Sequence, residues 1–452
     1  MYNARDSSIP DPLDDMMFRL TGFQCDPNSV MRYNNKKLSV NGDMYFLTSL
    51  KYWKTILGDK IDCQEKCTDI LEHYEHRIRG ISGEERTAKA DERLVRELLQ
   101  DNPFFHTMTL KKERVCLFFN RPLLMKYAVR MVKETDSNYG RIDNGSRHNI
   151  SVDVQIRDDE TSQITSKRLG LIQSVCQKIL DLKGYCNPSK NTCTIILTSK
   201  AQEEKSNKCA IYVCGVVKNF QTNAKERTIT YQEYLDAKIE AVTKLNKQNY
   251  PRSFGDEPNE YEKIFFFQKM AKTITIFELL SVQPSRPVSI NLQTNMDKSH
   301  TNAKDALFIL YNYARLTALL NKFWSKVRSK EYPWFNRFDD AENINFSVLD
   351  DEDEWELVYD FVFLYPQVIK ESITFKPNLK ICPHNICMFL SRLSHKFSIY
   401  YRKTKILTKY RYDPDASNLY ETFAARIHML LTLHTVFRNA LAILDIEPVF
   451  DM

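Results

Sequence analysis

The sequence predicts an α/β domain followed by an all-helical domain. Between residue 106 and about residue 295, short runs of β-type residues alternate with helical segments, which is the pattern of βαβ units. Beyond Gly255 the chain contains no glycine, and its apolar residues recur at spacings of three, four and seven. These patterns place an α/β layer in the middle of the chain and a helix bundle at its end.

Alternation of apolar and polar side chains identifies the strands of the α/β domain. Ile150, Val152, Val154 and Ile156 fall on one face, so residues 150–156 are expected to form a half-buried strand. Apolar residues at helical spacing identify the helices. The other predicted elements are strands at 114–119, 192–198 and 210–217, and helices at 123–133 and 167–182.

Four amphipathic segments predict the helical domain, with the boundary before it in the proline-containing stretch 281–299. The segments are 303–330, 356–373, 385–401 and 420–444. The predicted domains are an N-terminal mixed region at 1–105, the α/β domain at 106–295 and the helical domain at 300–452.

The low glycine content excludes the usual phosphate cradles. The 452 residues include only 11 glycines, about a third of the usual share of ~7%. Only Gly80 and Gly83 lie close together, so the sequence contains no dinucleotide fingerprint, no P-loop and no glycine-rich loop for S-adenosylmethionine. No cofactor is expected.

Cysteine usage and hydropathy indicate a cytoplasmic protein without a metal. The 11 cysteines are irregularly spaced and form no Cys-x-x-Cys pair. Cys63, Cys67, His73 and His76 fall in one helix-like stretch that cannot fold around a tetrahedral ion, so no zinc site is expected. The sequence has no signal peptide and no run of about 18 apolar residues.

Positive charge is concentrated near the end of the chain. The net charge is +6, and residues 376–452 contain 11 Lys and Arg against 6 Asp and Glu. Residues 400–412 interleave cations with tyrosines, a mixture that RNA-binding proteins use for phosphates and unstacked bases. A solvated helix face with tyrosines packed at its rim is the alternative interpretation at this point.

The helical domain resembles the DALR anticodon-binding domain at the C-terminus of arginyl-tRNA synthetases. The resemblance covers about one third of the chain. In two positions, Ala440 and Asp445, the family tends to have glycine. The matching motifs are Tyr313-Ala314-Arg315, Tyr400-Tyr401 with Ile406-Leu407, Arg426-Ile427, and the terminal pattern of residues 436–452.

The preceding domain resembles a degenerate class I synthetase core, which has a Rossmann-like fold. Residues 164–167 stand roughly where the His-x-Gly-His signature belongs, but that signature is absent. Residues 223–230 are the nearest counterpart of the Lys-Met-Ser-Lys-Ser loop and also lack its sequence. Loss of both signatures implies a pseudo-synthetase that no longer activates an amino acid.

This combination is similar to the DALR anticodon-binding domain-containing protein 3 family, especially at 349–357 and 388–401. The resemblance implies a non-catalytic adaptor that binds arginine tRNAs. It would deliver them to a tRNA cytidine N3-methyltransferase that modifies the anticodon loop. The methyltransferase would hold S-adenosylmethionine, and the α/β domain is the expected surface for that partner.

The tRNA-binding candidates are cations for phosphates and tyrosines for bases. A protein-interaction scaffold without RNA binding and an active arginyl-tRNA synthetase are the alternative functions. Arg315 and Arg426 stand at family-motif positions, where structural ion pairing is an equal alternative. The remaining candidates are Arg392, Lys396, Arg402, Lys403, Lys405, Lys409 and Arg411, with Tyr400, Tyr401, Tyr410 and Tyr412 for stacking and a core position as the alternative for the first two.

Overall fold

A computed structural model of the protein divides the chain into two compact units. The first contains Met1–Met131 and Glu342–Trp355, and the second contains Val132–Ala341 and Glu356–Met452. The predicted three-domain division remains a prediction. The structure describes residues 12–23, 30–34, 36–58, 67–79, 93–94, 97–99, 102–142, 149–156, 162–185, 192–200, 209–246, 260–291, 301–332, 343–375, 378–407 and 417–449.

The first unit contains a four-stranded antiparallel sheet in the order β1-β2-β4-β3. Residues 114–119, which were predicted to form a strand, form β4, and β4 pairs with β2 on one side and β3 on the other. The elements are α1 Pro12–Thr21, β1 Arg32–Tyr33, α2 Leu38–Asn41, β2 Met44–Leu47, α3 Leu50–Leu57, α4 Ile70–Arg79, β3 Phe105–Lys111, β4 Arg114–Phe119 and the start of α5 Arg121–Thr135.

A buried carboxylate ties the sheet of the first unit to residues 342–355. Asp43 is fully buried and accepts hydrogen bonds from the Phe119 amide and the Trp355 indole N–H, each at 2.7 Å. Burial raises the pKa of Asp43, while Arg121 at 3.6 Å opposes this rise. This buried cluster is therefore a structural joint within the unit.

The second unit contains the predicted α/β layer. Strands β5, β6 and β7 form a parallel sheet in that order, and helix α6 connects β5 to β6. Apolar strands joined by an amphipathic helix produce this βαβ arrangement. The elements are β5 Asn149–Val154, α6 Gln163–Leu182, β6 Thr192–Thr198, β7 Cys209–Val213, β8 Val217–Asn219, α7 Tyr231–Asn246, α8 Glu260–Leu280 and β9 Val288–Ile290.

The run predicted as one strand at 210–217 is instead divided between β7 and β8. Gly215 lies at the break, where a Cβ atom would stand 2.2 Å from the carbonyl carbon of Arg286. Only glycine allows this close approach of two backbone segments. β8 then pairs in parallel with β9, a three-residue strand inside the predicted boundary stretch 281–299.

The final part of the chain is helical, as predicted. The helix that ends at Val358 continues into a short π-helical turn at Tyr359–Phe363. The elements are α9 Thr301–Arg328, α10 Glu352–Val358, α11 Tyr365–Ser372, β10 Ile373–Thr374, β11 Lys380–Ile381, α12 His384–Lys403 and α13 Ser417–Ile443. Among the described residues, no helix is long and apolar enough to cross a membrane.

The surroundings of Asp445 explain why an aspartate can stand at a position where the resembled family has glycine. It has φ +59°, the left-handed conformation that follows many helices and favours glycine. Its carboxylate accepts hydrogen bonds from Ser174 at 2.6 Å and Lys178 at 2.5 Å, both on α6. These contacts offset the conformational cost of a non-glycine residue.

Candidate nucleic-acid interface

Two helices of the second unit, α9 and α12, form the floor and one wall of the candidate site. Ser391 donates a hydrogen bond to Asp305 at 3.4 Å, and the rings of Phe308 and His395 lie 4.7 Å apart. Residue numbers increase together along both helices, so the helices run in the same direction. Their apolar stripes are buried, which fixes the polar sides relative to each other.

An open cleft of about 500 Å³ lies where the C-terminal end of α12 meets the middle of α9. Helix α12 ends at Lys403, and the following residues Thr404–Leu407 complete the wall. The side chains that give the cleft its chemistry are Tyr311, Arg315, Lys322, Tyr401 and Lys405.

Arg315 lies against two tyrosine rings in this cleft. Its guanidinium carbon is 4.2 Å from the centroid of the Tyr311 ring and 4.8 Å from that of Tyr401. It also donates a hydrogen bond to the Tyr311 hydroxyl. Both rings remain accessible, with Tyr311 39% and Tyr401 36% exposed. A nucleobase is planar, as a guanidinium is, and both stack on aromatic rings. A base can therefore replace Arg315 on either tyrosine ring.

The cations of the cleft lie apart from the carboxylates that the structure describes. Within the described part of the chain, no carboxylate forms an ion pair with Arg315, Lys322 or Lys405. Two tyrosine faces bordered by three such cations can bind a phosphate backbone and stack an unpaired base. Because no acidic side chain among the described residues pairs with these cations, the cleft suits an anionic polymer.

The structure brings three predicted residues together, namely Arg315, Tyr401 and Lys405. Tyr311 and Lys322 complete the cleft but were not predicted. The signal was present, since Tyr311, Arg315 and Lys322 are 4 and 11 residues apart and so lie within about 40° on a helix. The excess of positive charge in the sequence lies in residues 376–452, so it did not point to Lys322 on α9.

Arg392 and Lys396 lie away from the cleft on the outward side of α12 and are paired with acids. Arg392 lies 3.7 Å from Asp360, and Lys396 forms an ion pair with Glu356. Burial raises the pKa of Asp360 to about 6, and Arg392 opposes this rise. The four charged groups form one local network, so the two predicted phosphate contacts are offset by two carboxylates.

Tyr400 is a correction to the predicted base-stacking set. It is fully buried, because it falls on the apolar stripe of α12 and packs into the core. Arg402 and Lys403 are exposed at the end of the helix, and Arg402 donates to the Ser398 carbonyl at 3.2 Å. Arg426 is half-buried on α13. The predictions for Lys409, Tyr410, Arg411 and Tyr412 lie outside the described residues.

Solved structures share the fold of the chain. Arginyl-tRNA synthetase of Thermus thermophilus aligns with a TM-score of 0.55 and 10% identity over 98% of this chain and 100% of that chain. Arginyl-tRNA synthetase of Plasmodium falciparum gives a TM-score of 0.55 and 9% identity over 98% of both chains. The predicted fold class, a Rossmann-like class I core with a helical DALR domain, is confirmed.

Sequence comparisons identify the helical part and the relatives. Residues 309–452 match the family model described as the DALR anticodon binding domain. The protein called DALR anticodon-binding domain-containing protein 3 in Rattus norvegicus is 26% identical over 56% of this chain and 45% of its own length. The protein of that name in Danio rerio is 23% identical over 53% of this chain and 41% of its own length.

These findings confirm the resemblance expected from the motifs. The match spans somewhat less than half the length of the curated relatives. The cleft residues from Tyr311 to Leu407 all fall inside the matched range 309–452. A likeness to arginyl-tRNA synthetases and a DALR domain together suggest binding of a tRNA anticodon region.

Proposed function

We propose that this chain is a non-catalytic tRNA-binding adaptor. It recognises arginine tRNAs and presents their anticodon loop to a partner methyltransferase that forms N3-methylcytidine. The observation that carries the proposal is the cleft between α9 and α12, where unneutralised cations surround two accessible tyrosine rings inside the DALR domain.

The cleft supplies two kinds of contact to an anticodon arm. Lys322 on α9 and Lys405 after α12 both line the cleft and bind phosphates of the loop. An unpaired base stacks on Tyr401 or Tyr311, taking over part of the ring area that Arg315 covers in the free protein. Each stacked base contributes about 1–3 kcal/mol. Arg315 then moves to a phosphate or a base edge.

The environment of residues 164–167 supports a non-catalytic role. Ile164 and Thr165, at the start of α6, are buried, and Ile164 belongs to a core cluster with Val217 and Leu279. The Thr165 hydroxyl accepts a hydrogen bond from the Val217 amide at 3.1 Å. A class I signature must expose polar side chains to the phosphates of ATP. Here the first two of these positions contribute to the core, while Ser166 is half-buried and Lys167 is exposed.

The proposal assigns the methyl donor to the partner and the location to the cytoplasm. The sequence has no glycine-rich cradle for S-adenosylmethionine. The methyltransferase therefore binds S-adenosylmethionine and transfers the methyl group, while this chain binds and orients the tRNA.

The first test is to recover the tagged protein from its own cells under RNase-free conditions and to sequence the bound small RNA. Enrichment of a subset of arginine tRNAs, together with co-purified N3-methyltransferase, is the expected result. Recovery of all tRNAs equally would contradict specific recognition. Recovery of no tRNA would replace the adaptor with a protein-interaction scaffold.

A second test separates the adaptor from an active synthetase. The purified protein, supplied with ATP, arginine and total tRNA, is expected to show no arginine-dependent pyrophosphate exchange. The Thermus thermophilus arginyl-tRNA synthetase, which shares the fold, serves as the positive control. Exchange above the level without arginine would contradict the non-catalytic assignment.

A further inference from the structure

Helix α9 carries one exposed stripe that continues past the cleft toward the C-terminal end of the helix. Tyr311, Ala318, Lys322 and Ser325 are all exposed. Their spacings of 7, 4 and 3 residues place them within about 60° of one another around the helix axis. The first three line the cleft, and Ser325 lies one turn beyond them. The stripe therefore connects the cleft with the end of the helix.

The far end of the stripe is basic. Residues 322–331 contain four cations and one acid. That acid, Glu331, forms an ion pair with Lys326 at 2.9 Å and accepts a hydrogen bond from the Ser329 hydroxyl at 3.0 Å. The carboxylate of Glu331 is therefore held at the end of the helix, where it offsets one of the four cations.

The other three cations of this segment have no acidic partner in the part of the chain that the structure describes. They are Lys322, Arg328 at the last position of α9, and Lys330 two residues later. All three are exposed, and no described carboxylate forms an ion pair with any of them. Each can therefore neutralise one phosphate of a polyanion and release the counterion of that phosphate.

The backbone of Lys330 is a second and independent indication of a binding role. It has φ +63°, the left-handed conformation in which glycine is the usual residue after a helix. Asp445 adopts the same conformation, but Ser174 and Lys178 hold its carboxylate. Among the described residues, no hydrogen-bonding partner of the Lys330 side chain offsets this cost. Unfavourable backbone conformations of this kind cluster at ligand-binding positions.

The stripe lacks the aromatic rings that the cleft has. Tyr311 and Tyr401 line the cleft, whereas the exposed stripe beyond them presents Ala318, Lys322, Ser325 and the terminal cations. Without a ring it cannot stack an unpaired base, but cations and a hydroxyl beside a small side chain suit phosphates and 2′-hydroxyls. A double-stranded RNA stem presents these groups along its backbone, because its bases are stacked inside the duplex.

We propose that α9 from Ala318 onward, together with Lys330, binds the phosphate backbone of the RNA stem next to the loop in the cleft. We call this surface the α9 track. The inference rests on the proposed function and assigns the stem of the same RNA to residues outside the cleft. Tyr311 and Arg328 are 17 residues apart, which corresponds to about 26 Å along the helix axis. This length accommodates several consecutive phosphates of one strand.

The test compares two RNA probes on the full chain. One is the anticodon stem-loop hairpin of an arginine tRNA, and the other is the same loop sequence as a single-stranded oligonucleotide. The variant is Arg328→Gln with Lys330→Gln. Its hairpin affinity is expected to fall about tenfold, and the slope of log K against log salt to fall by about 0.7–0.9 for each lost phosphate contact. Its affinity for the single strand is expected to stay within about twofold.

A matched control removes two exposed cations elsewhere in the same unit. Arg227→Gln with Lys244→Gln lowers the net charge by the same amount, and both residues are exposed. The hairpin affinity of this variant should equal that of the wild type, because neither residue lies on α9. Arg328→Lys with Lys330→Arg keeps both charges and should also preserve the hairpin affinity.

Lys330→Gly separates a binding role from a structural one. Glycine adopts the left-handed conformation without steric cost, so the melting temperature should equal that of the wild type or rise. The hairpin affinity should nevertheless fall several-fold, because one phosphate-binding cation is lost. A melting temperature that falls together with the affinity would show a structural role and contradict the assignment of Lys330.

The outcomes distinguish this inference from the proposed function. If the wild type binds the hairpin and the variant of Arg328 and Lys330 binds it equally well, the α9 track is wrong while the adaptor role stands. An equal loss of affinity for the hairpin and the single strand would overturn the assignment to the stem. An equal loss in the control variant would reduce the effect to net charge and overturn the track. A wild type that binds neither RNA would overturn both proposals.

Discussion

Helix α12 presents two surfaces that look alike in sequence and differ in structure. Both combine cations with apolar or aromatic side chains. At the cleft, Lys405 and Arg315 have no carboxylate ion-pair partner among the described residues, and two tyrosine rings are accessible beside them. On the side of the helix that faces away from the cleft, Arg392 and Lys396 are paired with acids.

The difference teaches that the number of cations in a helix does not identify a nucleic-acid surface. What decides is whether the neighbouring elements supply carboxylates. The acids that pair with Arg392 and Lys396 are Asp360 and Glu356, which belong to the segment before α12. The cleft instead faces α9, whose side chains there are tyrosine, arginine and lysine. Under the proposed function, electrostatic recognition of a polyanion therefore takes place at one end of the helix.

The largest effect on tRNA binding is expected from removing an aromatic ring of the cleft. Tyr401→Ala should weaken binding about tenfold, because one stacked base contributes about 1–3 kcal/mol. Fluorescence anisotropy with a labelled arginine tRNA measures the change. Tyr261→Ala on α8, a substitution of the same type at an exposed position, is the control. Equal affinities for Tyr401→Ala and the wild type would exclude the cleft as a stacking site.

Removing one cation from each surface should produce a smaller and asymmetric effect. Lys405→Gln should weaken tRNA binding several-fold and reduce the slope of log K against log salt by about 0.7–0.9, the value for one phosphate contact. Arg392→Gln should leave the slope unchanged because Asp360 offsets that charge. Binding titrations with tRNA at salt concentrations between about 50 and 200 mM measure the two slopes. Identical slopes for the two variants would break the comparison.

Asp360→Asn should have the smallest effect on tRNA binding, within about twofold, and a clear effect on stability against pH. Because burial raises the pKa of Asp360 to about 6, the folded protein binds its proton more tightly than the unfolded chain does. The resulting stabilisation is present below about pH 4 and is lost as pH rises through about 6.

Thermal melting of wild type and Asp360→Asn checks this sign. The amide does not titrate, so the melting temperature of the wild type relative to the variant should fall between about pH 4 and pH 7. The full difference corresponds to at most about 3 kcal/mol. A pH-independent difference would show that the Asp360 carboxyl titrates at its ordinary pKa.

Much of the second unit could be predicted from sequence because its patterns are local. The strand at 192–198 matches β6, and the helix at 385–401 matches α12 within two residues. Short elements such as β9 were not predicted, because three residues are too few to show an alternation of apolar and polar side chains. The sequence did not predict that the hairpin of β3 and β4 pairs with β2, because strand pairing depends on partners that are distant in sequence.

The candidate site was only half predictable for the same reason. The tyrosines and cations of α12 are evident in the sequence, and the Tyr313-Ala314-Arg315 motif pointed to Arg315. Which tyrosine faces solvent depends on packing, so Tyr400 was placed in the same set as Tyr401 although only Tyr401 is exposed. Pairing of Arg392 with Asp360 spans 32 residues and follows from the packing of two segments.

The central claim is that tRNA binds in the cleft between α9 and α12. Ultraviolet crosslinking of the full chain to an arginine tRNA, followed by mass spectrometry of the nucleotide-bearing peptides, tests it directly. We expect crosslinks at Tyr311 or Tyr401, with loop nucleotides attached, and none at Arg392 or Lys396. Crosslinks confined to the side of α12 that carries Arg392 and Lys396, with the cleft tyrosines unmodified, would contradict the account.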